Sequence, residues 1–248
     1  MQEMIYLKED QANTSAEGIA QYFETITGHR WHVAADNQGR LILSRHPILW
    51  SGRVKKARGM AALINLPDAL GDDLLLMNLH FLTKPPEVQI KQATHALDFI
   101  ESVRRGELPE IPQGTPIMIS GDFNSTPQER PYHILLKMDR NAGPGDGRSN
   151  QFLDPMPKQL GSEARGTHGA VGWSGKVGQS IAEPPSRTID YILAPGNFLE
   201  VHQSFLFNSL ILPKETLSQY EVEREAILLK REDDRETVDH LPVFLDLK

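Results

Sequence analysis

A layered α/β domain, with sheets packed face to face and helices outside, is the fold class the sequence predicts. Three observations carry it. Met60 to Leu66 and Leu74 to Phe81 are apolar runs joined by the turn-rich stretch Pro67 to Asp73, and read as antiparallel neighbours in a sheet. Val88 to Arg105 keeps Ile90, Ala93, Leu97, Ile100 and Val103 on one stripe, the pattern of an amphipathic helix. Ile117-Met118-Ile119 is a short apolar run of the kind found in strands covered on both faces, and it leads into Gly121-Asp122-Phe123-Asn124.

From the start of the chain, Thr14-Ser15-Ala16-Glu17 has the form of a capping box, and Ile19, Phe23 and Ile26 follow at helical spacing before Gly28. A helix over residues 15–27 follows. Trp31 to Ala34 predicts a short strand, and Leu41 to Arg45 another, stopped at His46-Pro47. Leu74 to Leu79 is so continuously apolar that burial on both faces is expected. Gly106 and Pro109 end the long helix. Thr126-Pro127-Gln128-Glu129 predicts a helix start, with the helix running to about Met138. Arg140 to Arg187 is rich in Gly, Ser and Pro and reads as a long functional or disordered loop. Thr188 to Leu193, Glu200 to Phe207 and Leu241 to Leu247 read as strands, and the charged residues 214–238 as a solvated helix or loop.

The chain has 248 residues, with no internal repeat and no linker, so a single domain is expected over 1–248. Its net charge of −7 supplies no basic field for long-range binding of polyanions, although a bound cation would reverse the sign locally. The absence of cysteine excludes disulfides, thiolate nucleophiles and Cys-based zinc sites. It leaves the compartment open, cytoplasmic or exported, and nothing in the sequence sets the oligomeric state. No apolar run reaches transmembrane length, and none has signal-peptide form. No Gly-x-Ser-x-Gly motif is present, which removes a serine hydrolase of that type.

The central stretch is read as a strand that delivers Asp122 and Asn124 to its end, on one side of it because they are two apart, with Gly121 allowing the turn. A carboxylate and an amide there suit a metal-bound phosphate, and they equally suit a plain polar turn. Polar residues recur where other apolar strands end: His80, Asp190, Asp239 and His240. Each is a residue type that phosphoester chemistry uses.

In order along the chain stand Gln2-Glu3, Leu43-Ser44-Arg45-His46-Pro47-Ile48, Asn78-Leu79-His80, Gly121-Asp122-Phe123-Asn124-Ser125-Thr126-Pro127, Ile189-Asp190-Tyr191-Ile192 and Asp239-His240-Leu241-Pro242-Val243. Together they resemble the endonuclease/exonuclease/phosphatase superfamily, with its DNase I-like fold. The resemblance implies a four-layered sandwich of two packed, mostly antiparallel sheets flanked by helices. It implies a phosphoesterase dependent on Mg²⁺ or Mn²⁺ that works by direct attack of water. Its substrate would be a phosphate ester of nucleic acid, lipid or small-molecule type. By resemblance Glu3 and Asp239 belong to the metal site, His80 contacts the scissile phosphate, and Asp122 and Asn124 position water and a phosphate oxygen. Asp190 would orient His240, fixing its tautomer and raising its pKa from about 6.5. Either His240 is then the base, or a protonated His240 stabilises phosphate charge and Asp122 is the base. Gly166-Thr167-His168-Gly169 resembles an element of some members, which makes His168 a candidate site-lining residue. Arg58 is a second candidate, able to reach a phosphate or to stand on the plain surface.

Members of the superfamily also carry a first strand with an asparagine upstream of Gln-Glu, and nothing before Met1 matches it. The expectation is a fragment or a misassigned start. The alternative is a complete chain with a degraded metal site, acting as a non-catalytic binding domain.

Overall fold

The computed structural model describes residues 15–68, 71–83, 85–136, 152–159, 165–173, 187–195, 201–207, 213–219, 229–230, 236–240 and 243–247. Among the described residues, helices α1 (Ala16–Thr27), α2 (Pro86–Arg104), α3 (Arg130–Leu136) and α4 (Lys214–Gln219) are interleaved with fourteen strands. The first seven are β1 (His32–Ala35), β2 (Leu41–Ser44), β3 (Ile48–Val54), β4 (Gly59–Ile64), β5 (Leu74–His80), β6 (Ile117–Asp122) and β7 (Phe152–Leu153). The rest are β8 (Lys158–Gln159), β9 (His168–Trp173), β10 (Asp190–Pro195), β11 (Val201–Leu206), β12 (Leu229–Lys230), β13 (Glu236–His240) and β14 (Val243–Leu247).

The main sheet has the order β3-β4-β5-β6-β10-β7, antiparallel throughout except for the parallel pair β5 and β6. Two three-stranded sheets, β14-β11-β8 and β12-β13-β9, and the hairpin β1-β2 complete the mixed α/β architecture.

The two faces of the main sheet are covered differently. Leu75, Met77, Leu79, Ile117, Ile119 and Leu193 form the large core with Ala93, Ala96, Ile100 and Val103 of α2 and Tyr132 and Leu135 of α3. The alternate residues Met60, Ala62 and Leu76 face the other way and pack with Ala34 and Ile42 of the hairpin. The amide of Asn78 fastens that hairpin by donating to Leu41 O at 3.1 Å. The expected burial of β5 on both faces therefore holds, with Leu74 and Leu76 only half-buried on the hairpin side.

Several expectations need correction. Ser15, not Thr14, caps α1, accepting from Gly18 N at 2.9 Å. The buried face of α2 runs through Gln89, Gln92, Ala93, Ala96, Ile100 and Val103; it shares Ala93, Ile100 and Val103 with the predicted stripe, while Ile90 and Leu97 are half-buried at its margin. Thr126 to Glu129 forms a turn, in which Thr126 N donates to the Glu129 carboxylate, and α3 starts only at Arg130. Strand β3 was not legible, and β9 lies inside the stretch read as a loop. Gly121 does not turn the chain: it sits within β6 at φ 151°, paired with Leu79 and Tyr191. The reversal comes at Asn124, which has left the strand at φ 46°.

Candidate active site

The parallel register of β5 and β6 puts His80 opposite Asp122, and the antiparallel register of β6 and β10 puts Asp122 opposite Asp190. Residues directly opposite on neighbouring strands share a face of the sheet. The three side chains thus stand in one row, on the face away from α2 and α3. His80 Nε2 lies 3.7 Å from Asp122 Oδ2, with the carboxylate buried and the imidazole partly exposed.

Asn124 folds back on the same carboxylate. Its backbone N–H donates to Asp122 Oδ1 at 2.7 Å, and its side-chain amide donates to Asp122 Oδ2 at 2.9 Å and to Phe81 O at 3.0 Å. A left-handed residue other than glycine is costly, and asparagine tolerates it best, which explains this residue type at the reversal. Asp122 and Asn124 therefore meet through a turn instead of sharing one side of a strand.

The second sheet closes the row. His240 ends β13, and its Nδ1 donates to Asp190 at 3.0 Å from Oδ1 and 2.9 Å from Oδ2. Asp190 is 8 % exposed and His240 28 %, so the pair sits at a solvent-facing edge over a buried acid. Asp122, Asp190 and His240 each offer a ligand atom within 4.8 Å of the others. Two carboxylates and an imidazole form a donor set able to hold a divalent metal ion.

Residues that sequence reasoning missed hold this row in place. Gln89 on α2 donates to Asn124 O at 2.8 Å and to Leu82 O at 2.8 Å, while Gln92 Oε1 accepts from Leu82 N at 3.0 Å. The available signal was two glutamines three apart, next to the apolar positions of a helix. Thr167 is fully buried, and its Oγ1 accepts from Ile189 N at 3.1 Å and Asp190 N at 3.2 Å. Below the row, Phe123 stacks on Phe81 (centroids 5.5 Å apart) and Tyr191 (4.9 Å), and all three rings belong to the core. Burial pushes the Tyr191 phenol well up, and burial with the Asp154 bond does the same for Tyr132. Both stay neutral donors at physiological pH: Tyr191 OH to Ser125 O at 2.9 Å and Thr188 O at 2.7 Å, Tyr132 OH to Asp154 at 2.7 Å.

A test of the scaffold follows from Thr167. Thr167→Val keeps the shape and removes the acceptor from two buried amides, so a loss of about 1–3 kcal/mol in unfolding free energy is expected. If Thr167 positions Asp190, kcat falls more than KM changes, and Thr167→Ser restores it. A loss of stability with kcat untouched would make the role purely structural.

The remaining candidates are placed unevenly. Arg58 lies in the turn between β3 and β4, half-buried, with its carbonyl accepting from His80 N at 3.0 Å. The backbone of Asp239 runs through β13, whose register against β9 shifts between Val238 and His240. The backbone of His168 pairs with His240. The side chains of Asp239 and His168, and the whole of Glu3, lie outside the described residues. The structure thus brings together His80, Asp122, Asn124, Asp190 and His240, with Arg58 at the end of the row.

Among solved structures the chain is similar to a mannosyl-6-phosphatase of Bacteroides thetaiotaomicron, at 15% identity and a TM-score of 0.57, covering 92% of this chain and 80% of that one. An endonuclease/exonuclease/phosphatase from Bacteroides vulgatus matches at 14% identity and a TM-score of 0.58, over 94% and 81%. TDP2 from D. rerio, solved with a single-strand DNA product, matches at 13% identity and a TM-score of 0.53, over 99% and 96%. These likenesses establish the DNase I-like fold. No curated protein matches the sequence. The Endonuclease/Exonuclease/phosphatase family matches residues 1–211, most of the chain. The chain belongs to the endonuclease/exonuclease/phosphatase family.

Proposed function

We infer that this protein hydrolyses a phosphate ester by direct attack of water, with the help of Mg²⁺ or Mn²⁺. The observation that carries this reading is the row His80, Asp122 and Asp190, completed by His240 from another sheet. It joins two carboxylates and two imidazoles at one solvent-facing edge.

Roles follow from the bonds. Asp190 holds His240 with the proton on Nδ1, the tautomer in which Nε2 is the basic nitrogen. His240 is then set to take a proton from water, or, once protonated, to face phosphate charge. Asn124 locks both oxygens of Asp122, which fixes that carboxylate for orienting the water. His80, beside Asp122, is placed to donate to a non-bridging oxygen. The cation would be held by carboxylates, with Glu3 and Asp239 the residues carried by resemblance and Asp122 and Asp190 the nearest described donors. When bound, it supplies charge neutralisation at the phosphate oxygens.

The family match stops at residue 211, yet β13 and β14 beyond it pair with β9 and β11, and His240 reaches Asp190. This supports residues 1–248 as one domain. The mannosyl-6-phosphatase and the complex with a DNA product among the similar structures leave the ester open: a sugar phosphate, a nucleic acid or a lipid headgroup. The test is turnover of bis(p-nitrophenyl) phosphate and p-nitrophenyl phosphate with Mg²⁺, Mn²⁺ or EDTA. Metal-dependent release of nitrophenol is expected from one of them. Turnover that EDTA leaves untouched would discard the metal requirement.

A further inference from the structure

We propose that Gln89 is a positioning residue for the reaction at this site: its buried amide ties the reversal at Asn124 to the loop that leaves His80, and so fixes how His80 and Asp122 stand to one another. This rests on the phosphoester reading above.

Helix α2 sets Ala93, Ala96, Ile100 and Val103 into the large core. At its start the same buried face carries Gln89 and Gln92, 3 % and 4 % exposed. Packing alone would favour an apolar side chain there, because a buried amide is costly unless it is bonded. Gln89 Nε2 meets three carbonyls: Leu82 O at 2.8 Å, Asn124 O at 2.8 Å and Thr83 O at 3.3 Å. Only the NH2 end of an amide can face carbonyls, so the side chain has one orientation, and its two hydrogens go to the two short contacts.

These bonds close a ring. Phe81 N donates to Asp122 O at 2.9 Å, and Phe81 O accepts from the Asn124 side chain at 3.0 Å. Leu82 is held by α2 on both sides, its N–H by Gln92 Oε1 at 3.0 Å and its carbonyl by Gln89. Gln89 then returns to Asn124 O, so the residues after His80 and those after Asp122 form one unit anchored on a long helix. The next carbonyl, Ser125 O, accepts from Tyr191 OH at 2.9 Å. Asn124 stands at φ 46°, and strained backbone persists only where its surroundings over-determine it. Two successive carbonyls gripped from two elements, α2 and β10, do so here, and they leave the backbone N–H and side-chain amide of Asn124 turned onto Asp122.

Gln89→Met keeps the length of the side chain and removes its donors. In the full chain it should lower kcat for the nitrophenyl phosphates by about tenfold to a hundredfold while KM moves far less, because Asp122 is misaligned and not lost. Hydrogen exchange supplies a readout that stability alone does not move. Protection of the Asn124 backbone amide, which donates to Asp122 Oδ1, should fall about tenfold further than that of Met118 and Ile119 in the middle of β6. Thermal midpoints confirm folding, and Gln89→Asn, whose amide is one methylene too short for Asn124 O, serves if Gln89→Met does not fold. Protection of Asn124 that falls only in step with the rest of β6, or kcat held while Asn124 loosens, overturns the proposal. Selective loosening of Asn124 with no ester turnover by the wild type keeps Gln89 as the anchor of the turn and discards the phosphoesterase reading.

Discussion

His240→Ala lowers phosphoester turnover by about 10²–10⁴-fold, the range expected when a positioned acid-base group is removed. Asp190→Asn produces a loss of similar order. The asparagine amide no longer matches the Nδ1 proton of His240, so the ring loses its fixed tautomer. Because the two side chains act as one unit, the double variant is little worse than either single one. Steady-state kinetics of the four proteins, at saturating metal, gives the cycle directly. Additive losses would separate Asp190 from His240 and remove the pair from the chemistry. KM for the ester is expected to move less than kcat, since neither residue is assigned to ground-state binding.

The second large effect is on stability. Phe123 is fully buried between Phe81 and Tyr191, in the gap between the two residues of the site that bond each other, Asp122 and Asn124. Its backbone N–H donates to Ile189 O at 2.8 Å, and Phe81 N donates to Asp122 O at 2.9 Å, so the stack ties β5, β6 and β10 together directly beneath the row. Phe123→Ala leaves a cavity there and costs about 3–5 kcal/mol. For a chain of this size that lowers the thermal midpoint by roughly 6–20 °C. Activity falls with it, because the reversal at Asn124 loses the anchor that keeps Asp122 oriented. Calorimetric or circular-dichroism melting measures the first effect. A drop of less than about 1 kcal/mol would mean that the three strand ends are held by the backbone ladder alone.

How much of this was readable in the sequence depends on the range of the contacts. Strands β5 and β6 announced themselves because both are buried on two faces and therefore run apolar without interruption. Their ends marked His80, Asp122 and, with β10, Asp190. Strand β3 did not, since Ile48 to Val54 alternates half-buried with exposed positions and contains Ser51 and Gly52. Strand β9, with Gly169 and Gly172, carries too little periodicity to stand out from its surroundings. The supports of the site were also silent. Gln89 meets Asn124 35 residues away, Thr167 meets Asp190 across 23, and Tyr191 meets Ser125 across 66. Local spacing reports which face of an element is apolar, and says nothing of a hydrogen bond made by a polar residue at its margin. The same limit explains Asn124: spacing alone placed it beside Asp122, and only the left-handed backbone shows that it reaches that carboxylate by turning back.

The most direct test of the central claim, that this row is a divalent-metal phosphoester site, is a Mn²⁺ titration followed through the histidine imidazole resonances. At substoichiometric Mn²⁺, the resonances of His80 and His240, assigned with alanine variants, should broaden first. Those of His29 and His95, which lie outside the row, should stay sharp. Broadening confined to other histidines, or none at all up to saturating metal, would contradict the account.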